Sequence, residues 1–210
     1  MKQRPIIKGH EIAGRMPLFK KPLRDAIRED RKTMTRRVIK PQPHVCHNGD
    51  LIYKDHLVGS EIKDRNDIYY PEIDINPYGI QGQYRVMTEP LIKINGFAHY
   101  DDDKAPVIST ITNTAMRWIW LRNKLSSIHM PYEAARTVTE YTGVSVERVQ
   151  EITPGDILRE GTPNTDIKYN DPWSEIYGDF QHLWDSINGK RDFGWDKNNW
   201  VWVIGFRRVK

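Results

Sequence analysis

The sequence predicts a single mixed α+β domain built on a curved or closed sheet. Two observations carry that prediction. Runs of strand character stand before, between and after short helical runs. No repeat, low-complexity tract or linker divides the 210 residues, a length that one domain with insertions can fill. Seven Trp, ten Tyr and five Phe supply large core side chains in a hydrophilic chain that is not of the disordered type.

Taken in order, Pro5 to Ile7 reads as a short strand that Gly9 and Gly14 interrupt. Pro22 to Asp30 predicts a helix, with Pro22 in its first turn and Leu23, Ala26 and Ile27 at helical spacing. Thr33, Thr35 and Val38 then favour an extended chain that Pro41 and Pro43 end. Strict alternation puts Thr33, Thr35 and Arg37 on one face and Lys32, Met34 and Arg36 on the other. A helix end or bulge there would instead bring Lys32 and Thr35 together. Residues 44–77 read as a long loop or insertion with weak hairpins, Asn48-Gly49-Asp50 marking a turn.

Tyr84 to Glu89 reads as a strand ended by Pro90, and Leu91 to Tyr100 as another, with Asn95-Gly96 a candidate turn. Asp101 to Lys104 is a polar loop, and Trp118 and Trp120 read as buried framework, the alternative being an exposed stacking platform. Ser126 to Pro131 forms a compact link. Thr137 to Val149 predicts a strand pair with Thr142-Gly143 as the bend or bulge. Thr153 caps a helix that Pro154 and Asp156 open and Gly161 stops. Trp173 to Asn188 is the best amphipathic helix, with Ile176, Phe180, Leu183, Trp184 and Ile187 on one face. The chain closes on an apolar strand, Trp200 to Phe206, and a basic Arg207-Arg208. Residues 1–210 are read as one domain, with insertions near 44–77 and 91–125.

Charge points to the partner. From Lys20 to Lys40 nine Lys and Arg stand against three acids, whereas the middle of the chain, from Glu61 to Asp103, is acidic. The net charge of +4 is mild, so one basic face, not the whole surface, would meet an anionic partner. The ordinary alternative is a solvated helix face. Within this patch Arg31, Lys32, Arg36 and Arg37 lie in seven residues with two threonines. Arg36 and Arg37 suit phosphate, their alternative being pairing with nearby acids. No run of about 18 apolar residues predicts a membrane span. The start of the chain lacks the apolar stretch of a signal peptide. A single cysteine, Cys46, excludes an internal disulfide and suits a reducing cytoplasm. His44, Cys46 and His47 are too crowded for a zinc site and have no second pair, so no metal or other cofactor is expected.

Several runs in fixed order are diagnostic together. They are residues 30–43 (DRKTMTRRVIKPQP), Tyr78-Gly79 with Gly82, and Ser127-Ile128-His129-Met130-Pro131. Residues 142–152 (TGVSVERVQEI), 183–189 (LWDSING) and 200–209 (WVWVIGFRRV) follow. Their order and spacing resemble a bacteriophage- or prophage-type member of the ASCH-domain family, which has a PUA-like β-barrel fold with short flanking helices. That resemblance implies an RNA- or nucleoside-related role in the cytoplasm, here of a bacterial host. It also implies an amidohydrolase activity of the N-acetylcytidine type or a ribonuclease activity. Matched residue by residue, the catalytic set would be Lys32, Thr35 and Glu160. Arg31, Arg36, Arg37, Glu89, His129 and Arg136 would contact substrate or nucleic acid.

The chemistry is coherent, since a threonine hydroxyl needs a base and a lysine can serve once its pKa is lowered. Relatives often carry Pro-Gly-Asp and then Trp-Val-Arg-Glu-Thr-Trp where this chain has Gln81-Gly82-Gln83 and Val86 to Leu91. A Trp is replaced by Glu133, and an acid in the last strand by Gly205. These departures imply a different substrate, or the fold without the catalysis. The alternatives are a non-catalytic reader of RNA or modified bases, and a phage accessory protein whose acidic insertion at 50–104 binds a host protein. The ordinary reading of Lys32, Thr35 and Glu160 is a solvated charge, a strand residue and a helix-end acid.

Overall fold

The computed structural model describes residues 4–47, 49–60, 76–162 and 172–209. In chain order the elements begin with β1 (Ile6–Ile7), β2 (His10–Arg15), α1 (Lys21–Arg28) and β3 (Met34–Val38). They continue with β4 (His44–Val45), β5 (Asp50–Tyr53) and β6 (His56–Ser60). Next come β7 (Tyr84–Val86), β8 (Leu91–Ile94), β9 (Phe97–Tyr100) and β10 (Lys124–Leu125). The chain ends with β11 (Val138–Arg148), α2 (Pro154–Arg159), α3 (Pro172–Asn188) and β12 (Trp200–Arg208).

A six-stranded sheet of order β1-β2-β7-β11-β12-β3 forms the frame. Its neighbours are antiparallel except β2 and β7, which run parallel. β1 and β3 are its edges, so among the described residues the sheet is open, and the molecule is a mixed α+β domain. Two three-stranded sheets, β4-β5-β6 and β10-β8-β9, are separate from this frame and lie within the stretches 44–77 and 91–125. Residues 61–75 of the first lie outside the described residues.

Local chemistry accounts for most boundaries. α1 has proline in its first turn and buries Leu23, Ala26 and Ile27. Asn95 and Gly96 take φ values of 48° and 84°, so the run 91–100 is a tight hairpin of two strands rather than one. The Thr153 hydroxyl accepts from the Asp156 N–H at 3.2 Å, capping α2 as its sequence predicts. Phe180 and Trp184 of α3 pack with Val201 and Val203 of β12.

Besides the open sheet and the 91–100 hairpin, three further expectations are corrected. Residues 138–148 form one strand instead of a pair. β12 pairs with it from Arg148↔Trp200 to Thr139↔Arg208, and Thr142-Gly143 is only a bulge opposite Gly205. Residues 10–15 form a strand despite their glycine, paired with β1 and β7, and the Arg85 guanidinium lies 2.9 Å from where a Gly14 Cβ would stand. Trp118 and Trp120 are half-buried and meet edge to face at 4.8 Å, while Ile119 is 80% and Leu121 105% exposed.

Candidate functional site: a buried lysine–glutamate pair beneath an apolar cleft

The chain leaving α1 is turned by Asp30, whose φ is 59°. The Arg31 and Lys32 N–H groups both donate to the Ala26 carbonyl, at 2.9 and 3.0 Å. Thr33 then donates to the Arg159 carbonyl at the end of α2, at 2.8 Å, and accepts from the Phe206 N–H at 2.8 Å. Regular pairing begins only at Met34, opposite Gly205. Lys32 therefore precedes the ladder and escapes its alternation. It reaches the same cleft as Thr35, although the helix has already ended at Arg28.

Lys32 is 2% exposed, and its ammonium is fully engaged. It donates to the Met34 carbonyl at 2.6 Å, the Glu160 carbonyl at 2.7 Å and Glu160 Oε2 at 2.7 Å. Glu160 closes α2, so the lysine also meets the negative end of that helix. The other carboxylate oxygen, Oε1, lies 3.5 Å from Arg36 Nη1. Burial pulls the Lys32 pKa down. The charge and hydrogen bond of Glu160 oppose the shift, Arg37 and Arg36 reinforce it, and the net direction is downward.

Gly161 makes this approach geometrically feasible. Its φ is +71°, and a Cβ there would stand 2.7 Å from Lys32 Cβ and 3.0 Å from Ala26 Cβ. We expect Gly161→Ala to destabilise the fold by about 2–4 kcal/mol, from left-handed strain plus overpacking. Urea unfolding checks this; an unchanged midpoint would mean that the backbone does not pass so close to Lys32.

The remaining walls come from distant elements. Thr35 is 1% exposed, and its hydroxyl accepts from Arg37 Nη1 at 2.9 Å. Arg37 also donates to the Arg36 and Leu18 carbonyls and lies over the Phe19 ring at 4.9 Å. Leu183, Trp184 and Ile187 of α3 line one side and Tyr78 another, around a cleft of about 420 Å³. Burial raises the Tyr78 pKa, with Arg37 opposing. The cleft therefore has an apolar wall, a hydroxyl and a buried ion pair at its base, which suits a flat ligand with a polar edge.

The sequence-predicted residues divide into two groups. Lys32, Thr35, Glu160, Arg36 and Arg37 all line the cleft. Arg36 does so with its guanidinium already held by Glu147 at 2.8 Å, Asp156 at 3.2 Å and Glu160 at 3.5 Å. The other four stand elsewhere. Arg31 is exposed and paired with Glu29 at 2.8 Å, and His129 is exposed in the turn Ser127–His129. Glu89 is wholly buried, gripped by Arg28 and by Arg136 at 2.6 and 2.8 Å. Arg136 also binds Asp103 at 2.7 Å and lies over the Tyr100 ring at 3.8 Å.

Phe19, Arg191 and the cleft-facing side of α3 are not among the sequence-predicted site residues, and neither is Lys20, although it opens the basic patch; the α3 stripe reads as core. Among the described residues no three His, Cys, Asp or Glu side chains gather into a metal-holding group. No helix there is long and apolar enough to cross a membrane.

Fold and site together define a mixed α+β domain whose cleft is floored by a buried lysine–glutamate pair. No family model matches the chain, and no curated protein does. Among solved structures it is similar to protein EF3133 from Enterococcus faecalis V583, described under the family model DUF984. The likeness has a TM-score of 0.40 at 11% identity and covers 92% of this chain and 80% of that one.

Proposed function

We propose that this protein binds a nucleoside, free or within RNA, in the cleft and hydrolyses an N-acyl amide on its base, as N-acetylcytidine carries. The reading places the chain with the ASCH-type, PUA-like proteins that its sequence resembles. One observation carries it: Glu160, 128 residues from Lys32 in sequence, meets Lys32 and Thr35 at one cleft, with Lys32 and Glu160 in direct contact at 2.7 Å.

In this reading the Thr35 oxygen bonds to the acyl carbon, and its hydroxyl proton passes to Lys32 Nζ. The carbon–nitrogen bond then breaks as that proton moves to the departing amine. Water next adds to the acyl-threonine. One of its hydrogens returns to the Thr35 oxygen, and the carboxylic acid leaves. Lys32 must be neutral to begin. Its bond to Glu160 Oε2 offers the route, since a proton moved across that contact leaves a lysine lone pair and a neutral carboxyl. The Arg37 hydrogen bond to the Thr35 hydroxyl stabilises negative charge as it develops on that oxygen.

A second reading, a non-catalytic reader of the same ligand, is favoured by one feature. All three Lys32 hydrogens are committed, so none points at Thr35. Incubation of the purified protein with N-acetylcytidine separates the two. We expect cytidine to be released, and Thr35→Ala and Lys32→Ala each to slow release by about 10²-fold or more. Cytidine binding without release leaves the reader; absence of both overturns the nucleoside reading.

A further inference from the structure

We propose that the cleft includes a phosphate subsite formed by Lys20, Arg37 and Arg191, so that its ligand is a phosphorylated nucleoside rather than a bare one. The inference rests on the nucleoside reading of the same cleft, and it follows from the charges there. Five cationic side chains, Lys20, Lys32, Arg36, Arg37 and Arg191, line the cleft with a single carboxylate, Glu160. Two of the five are answered within the protein: Lys32 by Glu160, and Arg36 by Glu147, Asp156 and Glu160. Three are left over.

Arg37 donates only to neutral oxygens, those of Thr35, Arg36 and Leu18. These bonds use three of a guanidinium's five N–H groups, leaving two without a partner among the described residues. Lys20 and Arg191 are exposed, and among the described residues neither side chain has a hydrogen bond, ion pair or ring contact. Elsewhere on α1 the contrast is plain, since Arg24 and Arg28 are both held by carboxylates. A half-buried guanidinium with spare donors, joined by two free cations at one mouth, fits a phosphate group's geometry and charge. An apolar wall beside it holds a base.

The phosphate could be a terminal monoester or a backbone diester of RNA, and titration calorimetry at low salt distinguishes them. The probes are cytidine, cytidine 5′-monophosphate, a short oligocytidylate with a 5′-hydroxyl, and inorganic phosphate. Where the group is a terminal monoester, the monophosphate binds about ten-fold or more tighter than cytidine, and the gap narrows as salt rises. A gain seen only with the oligomer assigns the subsite to backbone phosphate. The exposed double substitution Lys20→Gln/Arg191→Gln brings the ratio of affinities close to one. Lys190→Gln, adjacent in sequence but outside the cleft, leaves the ratio unchanged.

Cytidine bound as tightly as both phosphorylated forms overturns the subsite and spares the nucleoside reading. Inorganic phosphate bound by the native protein and lost in the double variant, with no cytidine binding, does the reverse. No binding of any probe overturns both.

Discussion

Replacing Lys32 by methionine is expected to abolish turnover of N-acetylcytidine and to destabilise the fold by about 3–5 kcal/mol, the range for breaking a buried ion pair from one side. Three acceptors lose their donor at once: the Met34 and Glu160 carbonyls and the Glu160 carboxylate. Arg36, at 3.5 Å, remains beside that carboxylate, with Arg37 also within electrostatic reach. Glu160→Gln should cost less, because an amide oxygen still accepts from the lysine and the backbone carbonyls are untouched. The double variant Lys32→Met/Glu160→Gln should recover part of the loss, since no unpaired charge stays buried.

A titration adds a second readout. The Lys32 pKa in the folded protein lies below its usual 10.5, so between the two values the unfolded chain binds more protons. Stability contributed by this group therefore rises with pH across that window. Tyr78, Tyr100 and Tyr141 have pKa values raised above the usual 10.0 and act in the opposite sense from that value upward. The difference between native protein and Lys32→Met isolates the lysine: it should grow as pH rises toward 10.5. Equal pH profiles would mean that the buried amine titrates normally.

The sequence resemblance, not a local pattern, singles out Lys32, Thr35 and Glu160; what local signals made legible is the elements that carry them. Thr35 follows a proline-started helix and precedes two prolines, Glu160 ends a helix that Thr153 caps, and both boundaries appear where those signals put them. Partnership was not legible. Arg36 reads as a phosphate ligand from charge density alone. Its acids lie 111 and 120 residues away, and no local pattern reports such distances. The strand 10–15 was hidden for the same reason, because its parallel partner β7 lies about 70 residues on in the chain, beyond any local pattern. The apolar stripe of α3 was read correctly as a stripe. Phe180 and Trp184 are buried while Leu183 and Ile187 remain half-buried at the cleft. Periodicity marks an apolar face without saying whether protein or ligand covers its last row.

Glu89 makes the second large prediction, and it separates structure from binding. The sequence resemblance implies a ligand contact, yet the side chain is wholly buried, with Arg136 on both its oxygens and Arg28 on one. It sits just before β8, while Arg28 is in α1 and Arg136 precedes β11, so one carboxylate joins three segments. Around it Arg24 forks onto Asp102 at 2.8 and 2.7 Å. Burial would push the Asp102 pKa up, but Arg24 and Arg28 overcome it and hold the carboxyl below its usual 3.8. That contribution is complete above pH 3.8 and is lost as pH falls toward the lower folded value.

Glu89→Ala should destabilise the protein by about 2–4 kcal/mol at neutral pH. This is less than the full cost of a broken buried pair, because Arg28 and Arg136 are partly exposed and keep Asp25 and Asp103. Chemical denaturation reads this directly. Affinity for cytidine, measured where the variant is still folded, should stay within about two-fold of native, since Glu89 lies outside the cleft. A ten-fold loss of affinity with unchanged stability would make Glu89 a ligand contact and move the binding surface to the α1–β8 side of the molecule. The expected pattern instead assigns the two ion clusters different tasks. The Glu89 cluster fixes α1 against the start of β8 and the Asp102–Asp103 turn. From the end of that helix, the Ala26 carbonyl then holds the Lys32 backbone at 3.0 Å, with its side chain over Glu160.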